Sequence, residues 1–325
     1  MTTSSAIAEV HDLGRGCHAW LQRRPGWGRS NTGLIVGHGE SLLVDTLFDI
    51  PLTTRMLDDV APLLASAPLT VAVNTHGNGD HWFGNRALAD VEIVAATATV
   101  ADMRAVGPAE VTGLMSLPTA AGRFAGSIFA PFDIAGVAEL GVAYPTRTFD
   151  GELDLVVGGV DVQLIDVGPA HTGGDTIVHV PDARTVYAGD IVFAGATPIA
   201  WNGPIANWIA ACRRIVALAP QRVVPGHGPV IAPGQLQAVV EYLEFVTEQA
   251  TVGFRAGWSF EETAARIDLG RYTWLPERER LAVNVHTVYR ELDPTLPALA
   301  GPELFGCMAA LDTAFESVPT PDQER

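Results

Sequence analysis

One short loop constrains this chain more than any other stretch. His76-Gly77-Asn78-Gly79-Asp80-His81 places four candidate metal ligands inside six residues. The apolar run Val71-Ala72-Val73 leads into it, the pattern of a buried strand that delivers its C-terminal end to a site. The two glycines let the backbone curl so that flanking side chains converge. Imidazole, carboxylate and amide oxygen together suit a divalent cation such as zinc, manganese or iron. A histidine-rich turn can equally be a plain surface loop, so the reading depends on what the rest of the chain supplies.

Composition narrows the setting. The chain has 325 residues, 48% of them hydrophobic, enough for a large core in one or two domains. With 37 acidic and 20 basic residues the formal net charge is -17, which repels phosphate backbones and argues against nucleic acid as a partner. No basic run of the kind that binds anionic membranes occurs, and no apolar stretch approaches the roughly 20 residues that span a bilayer. Cys17, Cys212 and Cys307 are scattered without CxxC spacing, so neither a disulfide framework nor a thiolate zinc site is indicated. Met1 to Leu13 is small and polar and lacks a signal-peptide pattern, which gives a soluble, cytoplasmic protein as the expectation.

Short strands are expected at Gly33–Val36 and Leu42–Asp45, around the turn Gly37-His38-Gly39. Leu52, Met56, Val60, Leu63 and Leu64 have helical spacing over residues 51–66, and strands follow at 71–74 and 91–95. Residues 97–150 mix helical pieces with Gly and Pro. Apolar runs return at 155–157, 162–165, 176–180 and 186–188, then a helix at 204–218 and a short strand at Val223-Val224. Beyond Pro233 nothing alternates as a strand would. Residues 233–325 read as a helical extension, ending in a frayed tail from Pro319 to Arg325.

Three later segments join the loop: Pro169-Ala170-His171-Thr172-Gly173-Gly174-Asp175, Tyr187-Ala188-Gly189-Asp190 and Val224-Pro225-Gly226-His227-Gly228-Pro229. Each follows a predicted strand and sets an imidazole or carboxylate beside glycine, so adjacent strands could gather them on one rim. His11, His18, His38, His179 and His286 lie outside such turns and read as core or surface residues. Asp175 reads as fixing its own turn.

In this order, His76-x-Asn78-x-Asp80-His81 and then His171, Asp190 and His227, the chain resembles the metallo-β-lactamase superfamily, over roughly residues 18–232. The resemblance implies an α/β (α+β) fold, a four-layer αββα sandwich forming a catalytic domain over residues 1–232, followed by the C-terminal helical extension. It also implies a two-metal site. Carried over by position, His76, Asn78 and His171 would hold one ion. Asp80, His81 and His227 would hold the other, with Asp190 bridging. The departure is Asn78, where the family usually has histidine. An amide oxygen is a weaker zinc ligand than imidazole, so a tight site at Asp80, His81, His227 and Asp190 and a weaker second site are expected. Zinc is the expected cofactor, with iron or manganese also compatible.

A divalent metal lowers the pKa of bound water from 15.7 to about 7 and polarises a carbonyl. Asp80 is the expected catalytic residue, orienting hydroxide or taking a proton while it remains a ligand. Trp82, Trp201 and Trp208 flank the motifs and are candidates for a substrate pocket, against the alternative that each packs in the core. Trp20 and Trp27 bracket Arg23-Arg24-Pro25-Gly26, a candidate loop over the site. The expected partners are a small-molecule substrate and, through the helical extension, a second copy of the chain.

The first functional reading is hydrolysis of an ester, thioester, lactone or lactam. A second keeps the metal and changes the reaction. Val44-Asp45-Thr46-Leu47, Gly168-Pro169-Ala170-His171-Thr172, Ala188-Gly189-Asp190-Ile191-Val192 and Gly195-Ala196-Thr197-Pro198 resemble actinobacterial enzymes of the superfamily that include aromatic polyketide cyclases. There an ion would stabilise an enolate during aldol closure. A third reading is a non-catalytic metal-binding module. The acidic surface argues against a nuclease, the missing signal peptide against an exported β-lactamase, and the full ligand set against persulfide oxidation.

Overall fold

The computed structural model describes residues 7–24 and 26–317; Pro25 and the tail from Pro319 to Arg325 lie outside them. The first sheet holds seven strands in chain order: β1 (Ala8–Gly14), β2 (Cys17–Gln22), β3 (Thr32–Val36), β4 (Ser41–Val44), β5 (Leu69–Val73), β6 (Glu92–Ala96) and β7 (Arg147–Phe149). β1 to β4 pair antiparallel, and β4 to β7 pair parallel. The second sheet comprises β8 (Glu152–Val157), β9 (Val160–Asp166), β10 (Thr176–Val180), β11 (Thr185–Tyr187) and β12 (Arg222–Val224), ordered β12-β11-β10-β9-β8. Only the β11–β12 pair in it is parallel.

Side-chain alternation fixes the layers. On β4, Leu42 and Val44 face the space between the sheets, where they meet Val178 and Val180 of β10 and Val224 of β12. Leu43 points the other way, onto Met56 and Val60 of α1 (Ile50–Leu64). On β10, Ile177 faces outward and joins Ile205, Trp208 and Ile215 of α6 (Ile205–Ala217). Helix, sheet, sheet, helix is the αββα sandwich. The helix α1 starts where its sequence says it should: the Asp49 side chain accepts a hydrogen bond from Leu52 N at 2.7 Å, and Pro51 occupies the first turn.

The segment before β7 folds as α2 (Thr97–Ala105), α3 (Pro108–Met115), α4 (Ala120–Phe129) and α5 (Ile134–Leu140). The C-terminal extension supplies α7 (Leu236–Arg255), α8 (Phe260–Arg266), α9 (Leu281–Leu292) and α10 (Gly301–Ser317). α10 packs on α4, and Val240 and Leu243 of α7 share one hydrophobic cluster with Ile215 and Val223. The core is thus continuous across residue 232. Among the described residues, no helix is long and apolar enough to cross a membrane.

The first strand expected from the sequence begins at Gly33, yet β1 and β2 precede it. The pattern of β1 is diluted because it lies at the edge of the sheet, with Glu9 and His11 only partly covered and Asp12 exposed.

Candidate metal centre

Strand ends deliver the ligands to one rim. β5 runs into His76 and a 3₁₀ turn, Gly79–His81; the β9–β10 connection carries His171; β11 ends before Asp190, and β12 before His227. The glycine beside His227 is required by space, since a Cβ on Gly226 would collide with Asp190 Oδ1. Trp82 Nε1 donates to Gly77 O at 2.9 Å and ties the metal loop to the core.

Asp190 lies at the centre. Its Oδ2 is 3.7 Å from His76 Nε2, 3.4 Å from His171 Nε2 and 3.3 Å from His227 Nε2, and its Oδ1 is 3.2 Å from His81 Nε2. Asp80 Oδ2 is 3.4 Å from His227 Nε2 and 3.7 Å from His81 Nε2. Two ligand groups result, His76/His171/Asp190 and Asp80/His81/His227, each with its ligand atoms within 4.8 Å of one another. The Asn78 amide sits 2.9 Å from His171 Nε2, beside the first group.

The second ring nitrogen of each histidine is already engaged, which turns every Nε2 inward. His76 Nδ1 meets Thr75 Oγ1 at 2.9 Å, His81 Nδ1 meets Asp45 Oδ2 at 2.9 Å, His171 Nδ1 meets Ile199 O at 2.6 Å, and His227 Nδ1 meets Arg29 O at 3.1 Å. His76 Nε2, His81 Nε2 and Asp190 Oδ1 are buried without a hydrogen-bond partner. An unmet buried polar atom costs about 1–3 kcal/mol, so orphaned atoms in both ligand groups fit cations bound there that would satisfy them.

Protonation divides the cluster. Burial holds the His76 pKa well below the ordinary value, with the neighbouring His81 adding to the effect, and burial takes His171 down to about 4. At His81 burial opposes the charge, but Asp190, Asp80 and Asp45 outweigh it and lift the pKa well above the usual range. At His227 burial is likewise overcome, by Asp190 and Asp80, and the pKa rises to about 9. Burial opposes charge on Asp190 too, yet His227, His81 and His76 hold it well below the carboxylate range. Without metal, then, protons on His81 and His227 balance Asp80 and Asp190.

A sign follows from the raised value at His227. Its contribution to the stability of metal-stripped protein is full below about 6.5, the unfolded value, and is lost as pH rises towards about 9. Metal must displace these protons, so metal affinity moves in the opposite direction and rises with pH. Thermal denaturation of chelator-treated protein at pH 6.5 and 9 checks this; stability that holds level or rises over that interval would contradict it.

Asp45 carries no ligand spacing in the sequence, yet it holds two of the ligands in place. Its buried carboxylate accepts from Thr75 N at 2.7 Å and Thr75 Oγ1 at 2.8 Å, and it orients both His81 and, through Thr75, His76. Its backbone is left-handed, with φ at 62°, a conformation that Asp and Asn tolerate better than most residues. A charged residue closing the apolar run of β4 is the signal that could have found it. Asp45→Asn keeps shape and backbone while removing the charge, and is expected to cost about 10–100-fold in metal affinity. Competitive titration with a chromophoric chelator measures that loss.

Of the three tryptophans, only Trp201 lines the cavity that opens at the metal centre. Trp82 and Trp208 are fully buried core residues: the Trp82 indole turns to Gly77 O, and Trp208 Nε1 donates to Ile191 O at 2.9 Å. Asp175 accepts hydrogen bonds from Thr172 N and Oγ1 and from Ala170 N, closing its own turn. Trp27 lines the cavity, but Trp20 is buried in the core and Arg23 and Arg24 line a different cleft. The described residues between the two tryptophans thus do not cover the metal centre; Phe48 and Phe305 complete the wall.

A model of the metallo-beta-lactamase superfamily matches residues 25–227, most of the chain and all the ligand-bearing loops. The chain belongs to this superfamily. The solved metallo-beta-lactamase from Pontibacter korlensis is 19% identical and covers 73% of this chain and 99% of its own, with a TM-score of 0.55. FIM-1 from Pseudomonas aeruginosa, solved in its mono-zinc form, is also 19% identical, covering 74% of this chain and 97% of its own with a TM-score of 0.52. These likenesses show the fold. Among curated proteins, the 2,4-dinitroanisole O-demethylase subunit alpha of a Nocardioides species (strain JS1661) is 30% identical over 135 residues. That match spans 40% of this chain and 39% of the relative.

Proposed function

We propose that this superfamily member is a metal-dependent hydrolase whose substrate is a small molecule with an aromatic or apolar body and an activated carbonyl. The observation that carries the reading is the junction of two surfaces. The inward-facing ligand set opens on a cavity of about 520 Å³ whose wall includes Trp27, Phe48, Phe129, Phe193, Trp201 and Phe305. Aromatic walls of this kind bind and orient flat apolar groups and keep bulk water from the reacting centre.

A bound divalent ion would supply Lewis acidity and water acidified for attack at neutral pH. The chain's own residues do the rest. His76, His81, His171, His227, Asp80 and Asp190 hold the ion, with the Asn78 amide as a weaker donor. Asp80 is the ligand carboxylate more open to the cavity, its side chain 12% exposed against 3% for Asp190. It is therefore placed to take a proton from incoming water on the carboxylate oxygen that does not hold the ion, and to return it to the leaving group. Trp27, Trp201 and Phe305 pack against one another with ring centroids 6.1–6.4 Å apart and present a rigid face to the substrate.

Hydrolysis of 4-nitrophenyl benzoate against 4-nitrophenyl acetate tests the proposal. The benzoate is expected to have the lower KM, and Phe305→Ala to raise that KM about 3- to 10-fold while kcat holds. No chelator-sensitive hydrolysis of either ester would overturn it. The curated relative's name favours a second reading, in which the same centre cleaves an activated aryl methyl ether with addition of water. Release of methanol from 4-nitroanisole, with both esters untouched, would decide for it.

A further inference from the structure

A second, larger cleft of about 740 Å³ lies behind Phe193, which is the one aromatic side chain shared with the catalytic cavity. Its floor is apolar, made by Leu21 of β2, Ile231, Val239 and Tyr242 of α7, Tyr272 and Leu275. Trp274 stands at its lip with 69% of its surface exposed, the most exposed large hydrophobic side chain among the described residues. The exposed ring continues the apolar floor of the cleft outward, and it is such contiguous apolar surface, not a single exposed side chain, that favours binding.

The rim carries the charge. Arg23, Arg24 and Arg29 all line the cleft, in a chain whose net charge is -17. Arg23 is occupied by Glu9, at 2.6 Å, and Glu9 also reaches His11 at 3.3 Å. Neither Arg24 nor Arg29 pairs with a carboxylate among the described residues; Arg29 engages His227 only through its backbone carbonyl. Arg271, near the far wall, is held by Glu241 and stacked on Tyr272. Two polar groups of the cleft already accept hydrogen bonds, the Tyr242 hydroxyl oxygen from Asn284 Nδ2 and Gln235 Oε1 from Ala232 N. Two arginines without a carboxylate partner among the described residues, lining an apolar trough, fit a single anionic head on an apolar tail.

We propose that this cleft is a second ligand site that binds an anionic amphiphile, a carboxylate carried on an aliphatic chain, with Arg24 and Arg29 on the head and Trp274 covering the tail. The site is independent of the catalytic reading.

Calorimetric titration of full-length, metal-loaded protein with decanoate and with decylammonium at neutral pH tests it, because the two probes share a chain and differ in head charge. Decanoate is expected to bind about 10-fold or more tightly than decylammonium, against the attraction that the chain's overall charge exerts on a cation. Arg24→Gln combined with Arg29→Gln should weaken decanoate about 5-fold or more. Trp274→Ala, at a largely exposed position that the fold does not need, should weaken it as well. Equal binding of the two probes, a preference for decylammonium, or decanoate binding unmoved by Trp274→Ala would overturn the proposal. So would decanoate binding that disappears with chelator, which would put the carboxylate on the catalytic metal, or adenosine monophosphate binding more tightly than decanoate.

Discussion

Asp190→Ala is expected to remove bound metal and to reduce turnover by more than about 100-fold, beyond the 10–100-fold typical of an altered supporting partner. The reason is geometric. One carboxylate stands 3.2–3.7 Å from the Nε2 of His76, His81, His171 and His227, so it is a ligand of the first group and borders the second. Without it, His76 and His171 have no ligand carboxylate, and His81 and His227 keep only Asp80 to offset the charge of an ion. Protonation of His81 and His227 also loses its main support, since Asp190 is the largest contributor raising both. Elemental analysis, with circular dichroism to confirm folding, reads the result. A folded Asp190→Ala protein that keeps its metal and works within 10-fold of the native chain would contradict this geometry.

The second large effect is a gain. Asn78→His should strengthen binding of the ion at His76, His171 and Asp190 by on the order of 10-fold or more, while the Asp80/His81/His227 position changes little. Asn78 Nδ2 lies 2.9 Å from His171 Nε2, so a side chain at this position reaches the ligand atoms of that group. What it offers is a neutral amide instead of an imidazole nitrogen, the better zinc ligand. Native protein should accordingly bind its two ions with unequal affinity, and Asn78→His should bring them closer together. Metal titration showing two equally tight ions in the native chain, unchanged by the substitution, would refute the inequality.

The metal centre was legible in the sequence because its parts are local. Each ligand sits in a glycine-flanked turn directly after an apolar run, so strand and ligand are read together. The cavity was not legible, because its wall is assembled from distant segments: Trp27 before β3, Phe129 on α4, Trp201 after the Asp190 turn and Phe305 on α10. Proximity in sequence misled at Trp82 and Trp208. Both adjoin ligand motifs, yet the 3₁₀ turn and α6 point their indoles into the core. Asp45 escaped notice because it acts through His81 and Thr75 and needs no ligand spacing of its own. The edge strand β1 was missed for a different reason, its half-solvated face leaving too weak a pattern.

The central claim is that the inward-facing nitrogens and carboxylates hold catalytic metal at the mouth of an aromatic cavity. The direct test is metal content by elemental analysis on tag-free protein, paired with aryl-ester turnover before chelation, after it and after readdition of zinc. The account predicts one to two ions per chain, turnover lost with chelator and turnover restored with metal. Protein that hydrolyses the ester equally well without metal, or that binds none, would contradict it.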